Sequence, residues 1–222
     1  MASRLFRRPL SKRTISEIAL YLLLRLAQRG IRVVDDERFA KLLFFALYTE
    51  PGPDGRPALL ENPPLLPKDM EFRIYLRGPY IRVRLLVKSM DKMACSMIGE
   101  HGITAVHEER GRIIVTAALA RYTDQLEESL AAIIEDKLGR EFRRRLDDWV
   151  VGSLASRSTQ ELTRMALEAL YLETEGPPIK KAMVFNMGLD DYINMLRVLK
   201  SIQKDIAEGR LRQDYELDEI LG

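Results

Sequence analysis

Helical spacing of apolar residues runs through most of this chain. Apolar residues recur every three or four positions over residues 15–26, 39–46, 122–149 and 189–206. This period places apolar side chains on one side of a helix, so it predicts an amphipathic α-helix in each segment.

Polar side chains and a glycine mark the helix boundaries. Thr14 with Glu17, and Ser158 with Glu161, have the spacing of capping boxes, and they predict two helix starts. Gly139 interrupts the third apolar segment and is expected to bend or split its helix.

Residues 71–77 alternate between apolar and polar side chains. Their period of two predicts a strand with Phe72, Ile74 and Leu76 on one face. Gly78-Pro79 follows directly and is expected to end the strand, because proline cannot donate to a sheet.

The next segment has two periodicities. Residues 80–97 begin with strand-like alternation, but their apolar positions continue at helical spacing without a turn signal, which favours a helix. Two β-rich runs follow, residues 103–107 and 112–116, and the polar turn between them ends in Gly111. Together they predict a β-hairpin.

The order helix, helix, strand, helix, hairpin is typical of a winged helix-turn-helix. We predict a mainly α fold with a winged-helix-like unit and one β-hairpin over residues 1–118, and a C-terminal helical layer with an acidic tail over residues 119–222. Residues 50–69 hold six of the ten prolines. They predict a surface excursion that folds back on the first unit.

Composition narrows the class of protein. The chain has 222 residues, 46% of them apolar, which is enough to bury a substantial core. Its longest apolar block is too short for a transmembrane helix, so no membrane contact is expected. The single cysteine, Cys95, excludes an internal disulfide and favours a reducing, cytoplasmic location.

Groups suited to catalysis are sparse. His101 and His107 are the only histidines, and Cys95 lies among methionines, which is typical of a small apolar core residue. Their spacing fits no zinc site, and the isolated glycines form no phosphate-binding loop. We expect a protein that is not an enzyme and that uses no metal or cofactor.

The net charge of +2 is unevenly distributed. Residues 1–30 carry a net charge of +6, residues 71–92 carry +4, and residues 205–222 carry −4. Two basic regions and an acidic tail suit a protein that binds a polyanion. The alternative is a charge-rich surface of the kind that heat-adapted proteins use.

In a winged helix, the helix before the hairpin enters the major groove, and the hairpin, or wing, lies along the phosphate backbone. Basic residues in both places predict a regulatory protein that binds duplex DNA, although Glu108 and Glu109 in the wing would repel phosphate. The predicted contacts come from the N-terminal segment, the helix and the wing: Arg7, Arg8, Lys12, Arg13, Arg82, Arg84, Lys88, Arg110 and Arg112.

Two short motifs indicate an alternative function. Residues 41–46, with the sequence KLLFFA, resemble the KLLYFA helix of the Panacea domain, a partner-neutralising domain of antitoxins and phage-associated proteins. Residues 77–80, RGPY, resemble that family's Gly-Pro step, and later elements follow in a compatible order over residues 14–172. The resemblance implies a non-catalytic helical fold that docks a protein partner, with Tyr80 in the contact surface.

This chain departs from the Panacea pattern in three respects. The proline-rich excursion between the motifs has an unusual composition, and the residues after Gly-Pro differ from those common in the family. The helices beyond Pro178 have no obvious counterpart there.

Acidic and apolar residues alternate in the tail after Gly209. Such a tail is too apolar for a purely solvated segment, so we expect it to dock with Tyr215, Leu217 and Ile220 buried. Its target is either the same chain or the second chain of a homodimer.

Overall fold

A computed structural model describes residues 9–100, 102–171 and 184–210 of the chain. Helices account for 61% and strands for 13%, which confirms the predicted mainly α class. Within the described ranges, no helix is both long enough and apolar enough to span a bilayer.

Helices form most of the framework, and short antiparallel strands connect them. The helices are α1 (Lys12–Gln28), α2 (Asp36–Tyr48), α3 (Val83–Ile98), α4 (Ala117–Ala120), α5 (Thr123–Leu138), α6 (Arg140–Arg144), a π-helix (Arg145–Leu154), α7 (Thr159–Ala169) and α8 (Leu189–Ala207). The strands are β1 (Val33–Asp35), β2 (Thr49–Pro51), β3 (Pro57–Leu59), β4 (Arg73–Tyr75), β5 (Gly78–Tyr80), β6 (Val106–Glu109) and β7 (Arg112–Val115).

The predicted hairpin is present, formed by β6 and β7, and it belongs to a three-stranded sheet with the order β1-β7-β6. Strand β1 lies between α1 and α2 in sequence and pairs with β7, with Val34 opposite Ile113. Helices α1, α2 and α3 with this sheet form the predicted winged-helix-like unit. Strand β1 was not predicted, because three residues between two helices are too few to show a period.

The strand predicted over residues 71–77 is shorter than expected. The chain turns after Tyr75, so Leu76 leaves the buried face and is 64% exposed. Strand β4 ends at Tyr75, before Gly78-Pro79. These two residues, expected to end the strand, belong themselves to a second strand, β5, which pairs with β4. Gly78 adopts a φ of 84°, a conformation that favours glycine.

The proline-rich excursion folds back on the body, as predicted. It forms the β2-β3 hairpin and a short 3₁₀-helix (Lys68–Met70), and its Leu66 and Met70 are buried. The second edge of β4 also has a partner, because the Ile74 amide donates to the Met187 carbonyl at 3.0 Å. That contact joins β4 to the segment before α8.

Two of the three helix boundaries predicted from the sequence are present in the structure. Ser158 and Glu161 form the predicted capping box of α7, and Gly139, with a φ of 88°, separates α5 from α6. The predicted box of Thr14 with Glu17 is wrong. Ser11 is the N-cap of α1 and accepts a hydrogen bond from the Thr14 amide at 3.0 Å.

One hydrophobic cluster contains side chains from both halves of the chain, such as Phe44 of α2 and Leu130 of α5. Helices α1 and α2 lie at its centre, and every residue from Phe39 to Tyr48 is buried. The division of the chain after residue 118 stays a prediction.

Candidate nucleic-acid interface

Helix α3 is buried on one side only. Val83, Leu86 and Met90 pack into the core, where α3 contacts α1 and β6. The opposite side is open to solvent, and its exposed residues include Leu85, which is 44% exposed. The helix predicted for residues 80–97 is therefore present, and its basic side chains are exposed in the part of the chain that the structure describes.

Four cationic side chains are exposed along the open side of α3 and at its N-cap: Arg82, Arg84, Lys88 and Lys92. We call this set the basic face. The one acidic residue within α3, Asp91, points toward the wing, where its Oδ1 accepts hydrogen bonds from the Ala105 amide at 2.6 Å and the Val106 amide at 3.0 Å. The open side of α3 consequently carries positive charge alone.

Most of the basic face is free of counter-charges. Arg84 Nε lies 2.8 Å from Glu108 Oε2 of β6, which offsets its charge. Among the described residues, no ion pair involves Arg82, Lys88 or Lys92. Three unpaired cations on one helix are suited to phosphate contacts.

The wing has a mixed charge. Arg110 lies at its tip with a φ of 51° and is exposed, whereas Arg112 Nε is 3.7 Å from Asp35 Oδ1. Glu108 Oε1 accepts a hydrogen bond from the Gly111 amide at 2.9 Å, and Glu109 is exposed. Arg110 is therefore the wing cation best placed for phosphate.

The structure separates the predicted N-terminal contacts. Lys12 forms an ion pair with Asp69 of the excursion, which offsets its charge. Arg13 lines a groove together with Lys92 of α3, and its Nε is 3.1 Å from Glu17 Oε1. Arg7 and Arg8 lie outside the described residues.

A second surface surrounds the predicted docking residue Tyr80. The Tyr75 ring lies 6.2 Å from the Tyr80 ring and 5.8 Å from the Phe185 ring, both nearly perpendicular to it. We call this surface, with Leu76, the aromatic groove. Phe185 is 52% exposed, whereas Tyr80 is half-buried and donates a hydrogen bond to Asp36 Oδ2 at 2.9 Å. Burial and this carboxylate raise the pKa of Tyr80.

The two Panacea-like motifs meet below the aromatic groove. Lys41 of α2 is buried, and its Nζ donates a hydrogen bond to the Pro79 carbonyl at 2.8 Å. Burial lowers the pKa of Lys41 to about 8. Sequence reasoning missed this contact, although a lysine within an otherwise apolar helical block is the signal that points to it.

Two of the three residues considered for catalysis, Cys95 and His107, lie in the part of the chain that the structure describes. Cys95 Sγ is 3.4 Å from the Ile103 carbonyl, and burial raises the pKa of its thiol. His107 lies in β6, and His101 lies outside the described residues. Across the described ranges, no group of three or more histidine, cysteine or carboxylate side chains is arranged to hold a metal ion.

Comparisons with protein-family models, curated proteins and solved structures find no match to this chain. The resemblance to the Panacea domain therefore stays a prediction, as does its implied partner. The predicted docking residues Tyr215, Leu217 and Ile220 lie outside the described residues.

Proposed function

We propose that this protein is a non-catalytic regulator that binds duplex nucleic acid through the basic face of α3, with Arg110 of the wing as a flanking phosphate contact. The exposed side of α3 supports this most directly, because it presents cations while Asp91 points inward. We propose a cytoplasmic location, because a chain with a single cysteine suits a reducing compartment.

Phosphate neutralisation sets the expected strength of the salt dependence. Each neutralised phosphate contributes about 0.9 to the slope of log K against log salt concentration. Of the cations on the basic face and the wing, Arg82, Lys88, Lys92 and Arg110 form no ion pair with a described residue. We therefore expect a slope of about −3 to −4 for a duplex of mixed sequence.

The test is a fluorescence-anisotropy titration of a labelled duplex from 50 to about 300 mM salt. The double substitution Lys88→Glu/Lys92→Glu should make the slope less negative by about 2, and it should weaken binding at low salt. Lys200→Glu/Lys204→Glu is the matched control, because it reverses two exposed lysines at the same spacing on α8. Equal losses in both variants, or no binding at low salt, would contradict the proposal.

Docking of a protein at the aromatic groove is the second candidate function. The exposure of Leu76 and Phe185 favours it, since large apolar side chains grouped at a groove often mark interaction sites. A photoreactive side chain at Leu76 should crosslink a discrete partner in cells, and Phe185→Glu should abolish that product. The same photoreactive side chain at exposed Val198 of α8 is the control.

A further inference from the structure

A groove with an apolar floor and a basic rim lies between α1, α3 and α5. Its floor is formed by Met93, Met97 and Ile133, all half-buried, and its volume is about 550 Å³. Methionine side chains adapt to irregular ligands, so they suit a peptide-binding surface. We call this the methionine groove.

The rim of this groove is positively charged. Arg13 and Lys92 line it, and both are exposed. The one carboxylate of the groove, Glu17, is buried and already paired with Arg13 and, at 2.6 Å, with Lys137 Nζ. An acidic ligand would therefore meet a net positive rim with no free carboxylate to repel it.

The chain itself carries a segment of matching chemistry. Residues 211–222 hold four acidic side chains against Arg212, a net charge of −3, together with Leu211, Tyr215, Leu217, Ile220 and Leu221. Twelve residues span up to about 40 Å when extended. Tyr215 and Leu217 follow Arg210 by five and seven residues, so an extended tail carries them about 17 and 24 Å from it, as far as the radius of gyration of about 17 Å expected for a chain of this length.

We propose that residues 211–222 dock in the methionine groove of the same chain, with Tyr215 and Leu217 against Met93 and Met97 and with their carboxylates beside Arg13 and Lys92. Lys92 belongs to both the groove and the basic face. Tail docking therefore competes with nucleic acid, a regulatory consequence that rests on the proposed function.

Photocrosslinking in the full-length chain tests the docking without nucleic acid. The substitution Tyr215→p-benzoylphenylalanine should give an intramolecular crosslink to the peptide that contains Met93 and Met97, identified by mass spectrometry. Crosslinks confined to other peptides, or a product with twice the mass of the chain, would overturn the proposal.

Two variants test whether docking of the tail depends on the methionine groove and on charge. Lys92→Glu/Met97→Glu should lower the crosslink yield several-fold, whereas Lys200→Glu/Lys204→Glu should leave it unchanged. Neutralising the tail with Asp214→Asn, Glu216→Gln, Asp218→Asn and Glu219→Gln leaves the described fold untouched and should lower the yield as well. An unchanged yield in the neutral-tail variant would contradict the charge complementarity on which the docking depends.

The competition has a separate readout. A short linker gives an effective concentration on the order of 1 mM, so a tail that binds with a Kd of about 100 µM weakens duplex binding about tenfold. The neutral-tail variant should therefore bind duplex about tenfold more tightly than the native chain. If the crosslink forms but the neutral-tail variant does not bind duplex more tightly, the tail docks without competing with nucleic acid, and the competition is refuted. If neither chain binds duplex, the proposed function alone is refuted.

Discussion

Helices α2 and α3 both belong to the winged-helix-like unit, but they are buried to very different extents. Every residue of α2 from Phe39 to Tyr48 is buried, including the cationic Lys41. Helix α3 buries a single side and exposes Arg84, Lys88 and Lys92 on the other. The first helix therefore contributes mainly stability, and the second is free to contact a ligand.

The largest difference should appear when an apolar side chain is removed from each helix. Phe44 of α2 is fully buried against Phe45, Tyr48 and Phe72, so Phe44→Ala should lower the free energy of unfolding by about 3–5 kcal/mol. Leu85→Ala on α3 should change it by less than about 0.5 kcal/mol. Urea denaturation measures both values, and similar losses would show that α3 is also a core helix.

The buried cation of α2 should give stability a distinctive dependence on pH. Lys41 has a pKa of about 8 in the folded chain and 10.5 as a reference for the unfolded chain. Between these values the unfolded chain binds more protons, so the free energy of unfolding should rise with pH, by about 3 kcal/mol at most. Denaturation at pH 7, 8, 9 and 10 measures this rise.

Lys41→Met is the comparison for the pH series, because it removes the titrating group and keeps the apolar stem. The difference between the two chains isolates Lys41 from the tyrosines and from Cys95. Burial raises the pKa of Tyr48 and of the Cys95 thiol, so these groups lower stability at alkaline pH in both proteins. A constant difference from pH 7 to pH 10 would show that Lys41 is not the responsible group.

The inward carboxylate of α3 should have an intermediate effect. Asp91→Ala leaves the Ala105 and Val106 amides without their acceptor, which should cost about 2 kcal/mol of stability. Hydrogen exchange at these two amides should accelerate more than exchange in α2. Asp136→Ala, at an exposed aspartate of α5, is the control and should change neither measurement.

The smallest effect should distinguish paired from unpaired cations on α3. Lys88→Gln should reduce the salt slope of duplex binding by about 0.9. Arg84→Gln should reduce it by less than half of that, because Glu108 already offsets the Arg84 charge. The Arg84 side chain is 82% exposed, whereas that of Glu108 is only 13% exposed. Loss of Arg84 therefore leaves a mostly buried carboxylate whose other described donor is the Gly111 amide. Equal reductions in slope would show that Glu108 releases Arg84 upon binding.

The predictions from sequence succeeded where a long period determines the structure. The apolar spacing of residues 39–46 and 189–206 indicated α2 and α8, and the polar turn at Gly111 indicated the hairpin. The period failed for β1, because its conformation depends on pairing with the distant β7. It failed for Leu76, because a tight turn between β4 and β5 interrupts the alternation. A three-residue strand has too few positions to show alternation.

The candidate site was predicted only in part, for a related reason. A sequence shows which residues are cationic, but not which of them have partners. Arg84 with Glu108, Arg112 with Asp35, and Lys12 with Asp69 are pairs that only the fold creates. Only the fold shows that Lys88 and Lys92 have no ion-pair partner among the described residues. It alone also shows that Asp91 accepts hydrogen bonds from the Ala105 and Val106 amides of the wing.

The pairing of β4 with residues 186–189 also constrains the order in which the chain folds. The Ile74 amide meets the Met187 carbonyl, and the Leu189 amide meets the Phe72 carbonyl. During synthesis, this edge of β4 has no partner until more than a hundred further residues have been added. Contacts of such long sequence separation form late and slowly, so the nascent chain exposes a β-edge while its winged-helix-like unit is already complete. Residues 186–189 therefore close a strand edge that would otherwise be open to pairing between nascent copies of the chain.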